Sequence, residues 1–221
     1  KALPFPRLVG QAASMVSTSI SEGFGFSFLE PWTAGKWMWG RRLPGVCTDF
    51  ETNGIRLDGL YDGLDIPLAW IDRDLYAQRW RRAVVQAAAR YAHPVTDDAM
   101  DKTLSRLNQS DCIDFGLLDE SLQRQVGNRL IADPAARKTL VALNPWLAHA
   151  GLPVGRSRMV DHNRQAVFAY YGPEQYRKRL LSIYDQVVRT RVYHRIDKRI
   201  VIDAFFDLDR FPLLIWGDYE H

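Results

Sequence analysis

The first part of the chain alternates apolar runs with a glycine-containing loop, in an order that predicts a strand, a loop, a helix and a second strand. Residues 14–18 are apolar and β-branched enough to favour a buried strand. Residues 22–25 interrupt this run with two glycines, which permit a tight turn and a close approach of the backbone to a ligand. Residues 26–35 then predict a helix of about three turns that ends at a glycine, and residues 37–39 predict the next strand.

The remainder of the chain is dominated by helical patterns. Apolar positions recur at helical spacing in residues 6–13, 46–53, 72–91, 96–108, 119–131, 134–143, 160–171, 173–193 and 200–208. Several of these segments begin at a cap-forming residue or a proline, such as Thr96 or Pro134. A last short strand is predicted at residues 55–57, and loops are predicted at residues 58–65, 111–116 and 144–158.

Two of the predicted helices carry apolar stripes, which identify the faces expected to pack into a core. In residues 72–91 the stripe consists of Leu75, Trp80, Val84, Val85 and Ala88. In residues 173–193 it consists of Leu180, Leu181, Tyr184, Val187 and Val188. The run FPLLIW at residues 211–216 is expected to be exposed, as a surface for another domain.

Composition adds a few limits to this picture. The chain has 221 residues, a net charge of +3 and scattered basic residues, which argues against a dedicated nucleic-acid surface. Its two cysteines, Cys47 and Cys112, are far apart without metal-ligand spacing, which is typical of free thiols in a reducing compartment. No apolar run approaches 18 residues, so no transmembrane segment is expected and a cytoplasmic location is predicted.

Two carboxylates frame the glycine loop. Glu22 stands at its entrance and Glu30 follows eight residues later, in the predicted helix. Because a carboxylate only accepts hydrogen bonds, either residue could hold the vicinal hydroxyls of a ribose or a hexose. The alternative is that both are solvated acids near a helix N-terminus, where the helix dipole favours negative charge. Spacing alone favours this second interpretation.

The residues around the carboxylates resemble a known family. The segment EGFGFSFLEPWTAGKWMWGRRLP resembles the E-x7-E segment of retaining glycosyltransferases with the GT-B fold, family 4 in particular, whose pattern is similar to EGFGLPxLEAxAxGxPVV. The matching positions are Glu22, Gly23, Phe24, Gly25, Leu29, Glu30, Ala34 and Gly35. Residues 43–58 and 163–187 extend the resemblance more weakly, and Pro31, Trp32, Trp37 and Trp39 depart from the family pattern.

The resemblance implies an α/β fold class, in which a partial Rossmann-like parallel sheet of the GT-B C-terminal domain is followed by a mostly helical extension. It implies the C-terminal half of a nucleotide-sugar-binding domain at residues 1–60. A helical insertion would follow at residues 61–158, and closing helices at residues 159–221. An N-terminal acceptor domain, absent from this chain, would be a partner.

The resemblance also implies roles for individual residues. Glu22 would be the catalytic residue that contacts the donor hexose, and Glu30 would bind the ribose hydroxyls. The backbone of Gly23, Phe24, Gly25 and Phe26 would approach the sugar and the diphosphate. The reaction would move a sugar from a nucleotide-diphosphate sugar to a sugar or small-molecule acceptor, without a metal or another cofactor. The family's diphosphate-neutralising Arg/Lys pair is not found, so a non-catalytic fragment or partner subunit is the alternative.

Other motifs in the chain give weaker evidence for a function. The Gly23-x-Gly25 spacing begins the dinucleotide fingerprint but lacks its third glycine, which disfavours hydride transfer. The pair Asp161-His162 could ligate a metal, although a structural role is favoured. The tryptophans beside the loop are expected to pack in the core rather than stack on a sugar.

Overall fold

A computed structural model describes residues 4–149, 155–190 and 197–216, and shows a mixed α/β protein that is mostly helical. Its α-helices are α1 (Phe5–Gln11), α2 (Glu30–Thr33), α3 (Pro44–Thr52), α4 (Arg73–Arg90), α5 (Asp97–Gln109), α6 (Glu120–Ala132), α7 (Pro134–Leu143), α8 (Arg156–Tyr171), α9 (Pro173–Arg189), α10 (Lys198–Phe205) and α11 (Leu213–Trp216). Its strands are β1 (Ser14–Ser17), β2 (Trp37–Gly40), β3 (Asp65–Pro67) and β4 (Cys112–Asp114). Short 3-10 helices occupy Phe26–Phe28, Leu68–Trp70, Phe115–Leu117, Pro145–His149 and Leu208–Arg210.

The chain forms two compact units, each built from two separate stretches of sequence. The first unit contains residues 1–62 and 148–194, and the second contains residues 63–147 and 195–221. Each unit encloses its own hydrophobic core. The division into domains at residues 1–60, 61–158 and 159–221 stays a prediction.

The first unit is organised around a two-stranded parallel sheet. β1 pairs with β2 in a register that sets Ser14 opposite Trp37 and Ser17 opposite Gly40. The connection through α2 returns the chain to the same end of the sheet, as parallel pairing requires. α8 packs against α2 and β2 and contributes Val160 and Val167 to the core. The strand predicted at residues 14–18 is confirmed as β1, but its expected burial is wrong, because Ser14, Met15 and Ser17 are only partly buried and Val16 is exposed.

The helix predicted over residues 26–35 is in fact two short pieces, a 3-10 helix at Phe26–Phe28 and the four-residue α2. Proline at position 31 explains the break, because it has no N–H to bond the carbonyl of Ser27 and its ring crowds that carbonyl. The predicted end at Gly35 is confirmed, since Gly35 has a φ of +67°.

The strand predicted at residues 55–57 is wrong, and a buried asparagine explains what replaces it. Asn163 on α8 accepts a hydrogen bond from the Arg56 N–H at 2.8 Å and donates one to the Arg56 carbonyl at 2.7 Å. An amide side chain thus takes the place of a neighbouring strand. In the second unit, Asn144 makes the same pair of bonds with Asp65. Its side-chain oxygen accepts from the Asp65 N–H at 2.8 Å, and its side-chain amide donates to the Asp65 carbonyl at 2.7 Å.

The second unit contains an antiparallel pair that the sequence did not predict. β4 lies within residues 111–116, which were predicted to be a loop, and Ile113 pairs with Ile66 of β3. A three-residue strand bounded by aspartates carries too short a pattern to be recognised without its partner. The predicted helix caps are confirmed in α5, where Thr96 Oγ1 accepts from the Ala99 N–H at 3.3 Å.

The apolar stripe of α4 packs into the second core largely as predicted. Trp80, Val84 and Ala88 are buried, whereas Val85 is exposed. The expectation that residues 211–216 are exposed is wrong for Phe211 and Leu213, which are buried in the same core. This segment packs within the chain because α11 contacts α4.

The apolar stripe predicted to be the core face of α9 is exposed instead. Leu181, Tyr184, Val187 and Val188 all face solvent, and α9 has no buried residue. The predicted continuation of this helix beyond residue 190 lies outside the described residues. Among the residues that the structure describes, no helix combines the length and apolarity needed to cross a membrane.

Cys47 and Cys112 are free thiols in different surroundings, and we expect Cys112 to be alkylated first in the native protein. Cys47 is buried and accepts the Leu43 N–H at 3.4 Å, whereas Cys112 is partly exposed. Burial raises the pKa of both thiols, so the reactive thiolate is scarcer at neutral pH than in a free cysteine. The alkylation rates of Cys47 and Cys112 therefore both rise with pH. Peptide mass spectrometry after timed iodoacetamide treatment measures the order. In denaturant we expect the two cysteines to be alkylated at the same rate. Equal alkylation rates in native buffer would contradict the burial of Cys47.

Candidate functional site

The glycine loop follows the carboxyl end of β1, the edge at which ligands bind in α/β sheets. Gly25 adopts a left-handed conformation with φ +73° and ψ +23°. Two successive 3-10 bonds then close the turn, from the Phe28 N–H to the Gly25 carbonyl at 3.0 Å and from the Leu29 N–H to the Phe26 carbonyl at 2.9 Å. The loop is therefore a defined turn anchored on the core side by buried Phe28.

The two glycines of the loop serve different purposes. Gly25 is buried against α3, where an added Cβ would lie 2.2 Å from Val46 Cγ1 and 2.9 Å from the ring of Phe50. Gly23 is exposed, and an added Cβ there would meet no atom within 4 Å among the described residues. Gly25 is required by packing, whereas Gly23 leaves open space beside the backbone that a ligand could occupy.

Glu22 is held by two serine hydroxyls. Its Oε1 accepts from Ser19 Oγ at 2.8 Å and from Ser27 Oγ at 2.7 Å. The two serines orient the partly buried carboxylate before any ligand arrives. Ser19 and Ser27 carry no signal for this role in the sequence, because they lie three residues before and five residues after Glu22 and are brought to its carboxylate only by the turn.

Glu30 lies at the far end of the loop and is the first residue of α2. Its side chain is exposed, while its carbonyl accepts from Thr33 Oγ1 at 2.8 Å. α2 has only four residues, so it contributes much less of a dipole than the three-turn helix that was predicted. The side chain of Glu30 is thus open to a ligand and to water alike.

Phe24 and Phe26 project from the loop into solvent. Their exposed fractions are 82% and 62%, and their rings stack at a centroid distance of 6.0 Å and an interplanar angle of 23°. The loop therefore carries two exposed aromatic rings beside the partly buried Glu22 and the exposed Gly23.

The tryptophans beside the loop pack in the core, as predicted for Trp32 and Trp37. These two rings are buried and meet edge to face at a centroid distance of 6.0 Å. Trp39 is partly buried and packs on the core near Tyr61, with ring centroids 5.4 Å apart. The bulky residues that depart from the family pattern stabilise the platform beneath the loop.

The charged groups near β2 and α3 are mostly engaged in structural contacts. Arg42 pairs with Glu51 at 2.5 Å, and this bond raises the pKa of the Arg42 guanidinium. His162 contacts the Gly54 carbonyl at 2.9 Å, which supports the structural role favoured for it. Over the described ranges, no group of three or more His, Cys, Asp or Glu side chains is arranged to hold a metal ion.

Comparison with known proteins gives no relative for this chain. No protein-family model, no curated protein and no solved structure matches it.

Proposed function

We propose that the first unit binds a nucleotide-diphosphate sugar and is the donor-binding part of a retaining, metal-independent glycosyltransferase. One observation carries this proposal. A glycine loop framed by Glu22 and Glu30 follows the carboxyl end of a parallel strand, within a strand–loop–helix–strand unit. The resemblance of residues 22–44 to the E-x7-E segment supports it. A GT-B architecture around β1 and β2, and a cytoplasmic location, belong to the same proposal.

The contacts of Glu22 suit a residue that contacts the donor hexose. One carboxylate oxygen is occupied by Ser19 and Ser27, so the side chain is oriented at no further entropic cost on binding. Its other oxygen is the natural acceptor for sugar hydroxyls. Ser27 in turn ties the catalytic side chain to the backbone segment that would face the diphosphate.

Donor binding along the loop would place the diphosphate beside Gly23, where the space next to the backbone is open. Glu30, exposed at the end of the loop, would accept hydrogen bonds from the ribose hydroxyls. In the transfer step the bond between the sugar C1 and the diphosphate oxygen breaks. The acceptor oxygen forms the new bond to C1, and its proton passes to the departing diphosphate oxygen. The nucleoside diphosphate then leaves, and backbone N–H groups meet its developing charge.

The assignment of Glu30 is tested by donor affinity. We expect Glu30→Ala to weaken nucleotide-sugar binding by about 1–3 kcal/mol, because the ribose hydroxyls lose a charged acceptor. Titration with UDP, GDP and ADP and their glucose or mannose conjugates gives the affinity and identifies the base. Glu174→Ala is the matched control, since Glu174 is an exposed acid in the first turn of α9 and, within the described ranges, its ion pair is with Arg177 of the same helix at 3.0 Å. Unchanged affinity in Glu30→Ala would contradict the assignment.

A thermal-shift panel is the first form of this experiment. A ligand at about 100 times its dissociation constant adds about 2.7 kcal/mol to the free energy of unfolding, which gives a visible shift. A shift with one nucleotide that Glu30→Ala removes would support the donor site. The absence of a shift with every nucleotide sugar would contradict it.

A non-catalytic partner subunit is the second candidate, and the exposed apolar face of α9 favours it. Leu181, Tyr184 and Val188 lie on this face without burial, which is unusual for a helix of a protein that acts alone. The two candidates differ in one measurable property. A partner subunit of this kind binds no nucleotide sugar, whereas the donor-binding part does.

A further inference from the structure

A basic pocket lies at the end of the sheet opposite the glycine loop. It has a volume of about 510 Å³ and is bounded by the residues that lead into β1 and β2 and by the first turns of α8. Three cationic side chains line it, Lys36, Arg156 and Arg164, together with Asp161 and Ser157. β1 and β2 are four residues long, at about 3.3 Å per residue, so the full length of the strands separates this pocket from the loop.

The cations of this pocket are incompletely compensated. Arg156 Nη1 is buried and has no hydrogen-bond acceptor among the described residues. Lys36 Nζ donates to the carbonyls of Gly10 at 2.9 Å and Ala12 at 2.8 Å, which fixes the ammonium group without neutralising its charge. A buried cationic N–H without an acceptor is costly, and a bound anion would reduce that cost by neutralising the guanidinium.

The helix that forms one wall of the pocket adds to its positive potential. The first turn of α8 contains Arg156 and Arg158 and no acidic residue, although the dipole already makes this end positive. Arg164 lies two turns further along, with its guanidinium carbon 5.9 Å from the centroid of the Phe168 ring, a cation–π contact that leaves its charge uncompensated by an acid within the part of the chain that the structure describes. Asp161 is the only acid lining the pocket among the described residues.

We propose that this pocket binds a phosphate monoester, with Arg156, Arg164 and Lys36 around the phosphate group. Planar guanidinium groups match the geometry of phosphate oxygens, and three cations suit a dianion better than a singly charged ion. The volume exceeds that of inorganic phosphate, so the organic part of the ester is accommodated. Asp161 and Ser157 supply partners for hydroxyl groups, which points to a hydroxylated ester such as a hexose phosphate.

The experiment is calorimetric titration of the full chain at fixed ionic strength, with inorganic phosphate in one arm and glucose 6-phosphate in the other. We expect saturable binding that Arg164→Gln and Arg156→Gln each weaken about tenfold or more. Arg158→Gln is the matched control, because it removes the same charge from the same helix turn but does not line the pocket, and we expect less than about a twofold change. Tighter binding of glucose 6-phosphate supports the ester, and equal binding supports a site for the phosphate group alone.

Two results would overturn the proposal. One is the absence of saturable binding in both arms. The other is an equal loss in Arg158→Gln and Arg164→Gln, which would mean general charge attraction rather than a site. If Arg156→Gln does not fold, Arg164→Gln still decides the outcome because Arg164 is exposed. Glu30→Ala is expected to bind phosphate normally, which distinguishes this pocket from the donor loop.

Discussion

Replacing Trp80 with alanine is expected to lower the free energy of unfolding of the second unit by about 3–5 kcal/mol. Trp80 lies on α4, is 1% exposed and meets Phe211 edge to face at 6.3 Å. Its removal leaves a cavity between α4 and the segment that precedes α11, and the surrounding side chains fill such a space only partly. Urea unfolding followed by far-ultraviolet circular dichroism measures the change.

Val85→Ala is the control for this experiment, because Val85 lies on the same helix and is 53% exposed. We expect it to change the free energy of unfolding by less than about 0.5 kcal/mol. Similar losses in the two variants would mean that α4 does not bury the face described above. The comparison also tests the sequence prediction that placed both residues on one apolar stripe.

The second large effect is expected from Gly25→Ala, which should destabilise the first unit by about 2–5 kcal/mol. A left-handed φ costs an alanine about 1–2 kcal/mol. The added methyl group must also displace Val46 and Phe50 of α3, and overpacking of this kind typically costs about 1–3 kcal/mol. The same unfolding measurement gives the value, and crystallography of the variant would show α3 shifted away from the loop.

Gly23→Ala is the control for the stability effect of Gly25→Ala, since the methyl group at residue 23 enters open space and the loop keeps its turn. We expect a change of less than about 0.5 kcal/mol in the free energy of unfolding. Under the proposed function the same variant nevertheless weakens donor binding, because the methyl group occupies the space beside the diphosphate. Stable folding with lost nucleotide binding in Gly23→Ala, and lost stability in Gly25→Ala, would separate the two purposes of the loop.

Local signals in the sequence predicted much of the secondary structure. Thr96 and Pro134 begin helices where expected, because a side-chain cap and a proline at the first turn act over three or four residues. Gly35 ends a helical segment for the same local reason. The break before Gly35 is also local in origin, because Pro31 has no N–H, but the apolar spacing of residues 26–35 alone predicts a continuous helix.

Features that depend on distant residues could not be predicted in this way. β4 exists because Ile113 pairs with Ile66, and residues 55–57 are no strand because Asn163 occupies the place of a partner. The apolar stripe of α9 predicts burial, but the sequence of one helix does not determine whether another element packs against it. In the structure α9 has no buried residue. In the candidate site, the sequence around Glu22 predicts its role. The contact of Ser27 with Glu22 depends on the turn between them, so it is seen only in the folded structure.

The discontinuous route of the chain has a consequence for its synthesis. The first core joins Leu57 to Val160, and the second joins Ile66 to Leu213, so each core spans more than 100 residues of sequence. At a translation rate of about 5–20 residues per second, β1, β2 and the glycine loop wait at least about 5 s for α8 to leave the ribosome. During that interval the Arg56 backbone lacks Asn163 and the core residues of β2 are uncovered. The nascent chain therefore exposes apolar residues of both cores until the later segments of each unit have been synthesised.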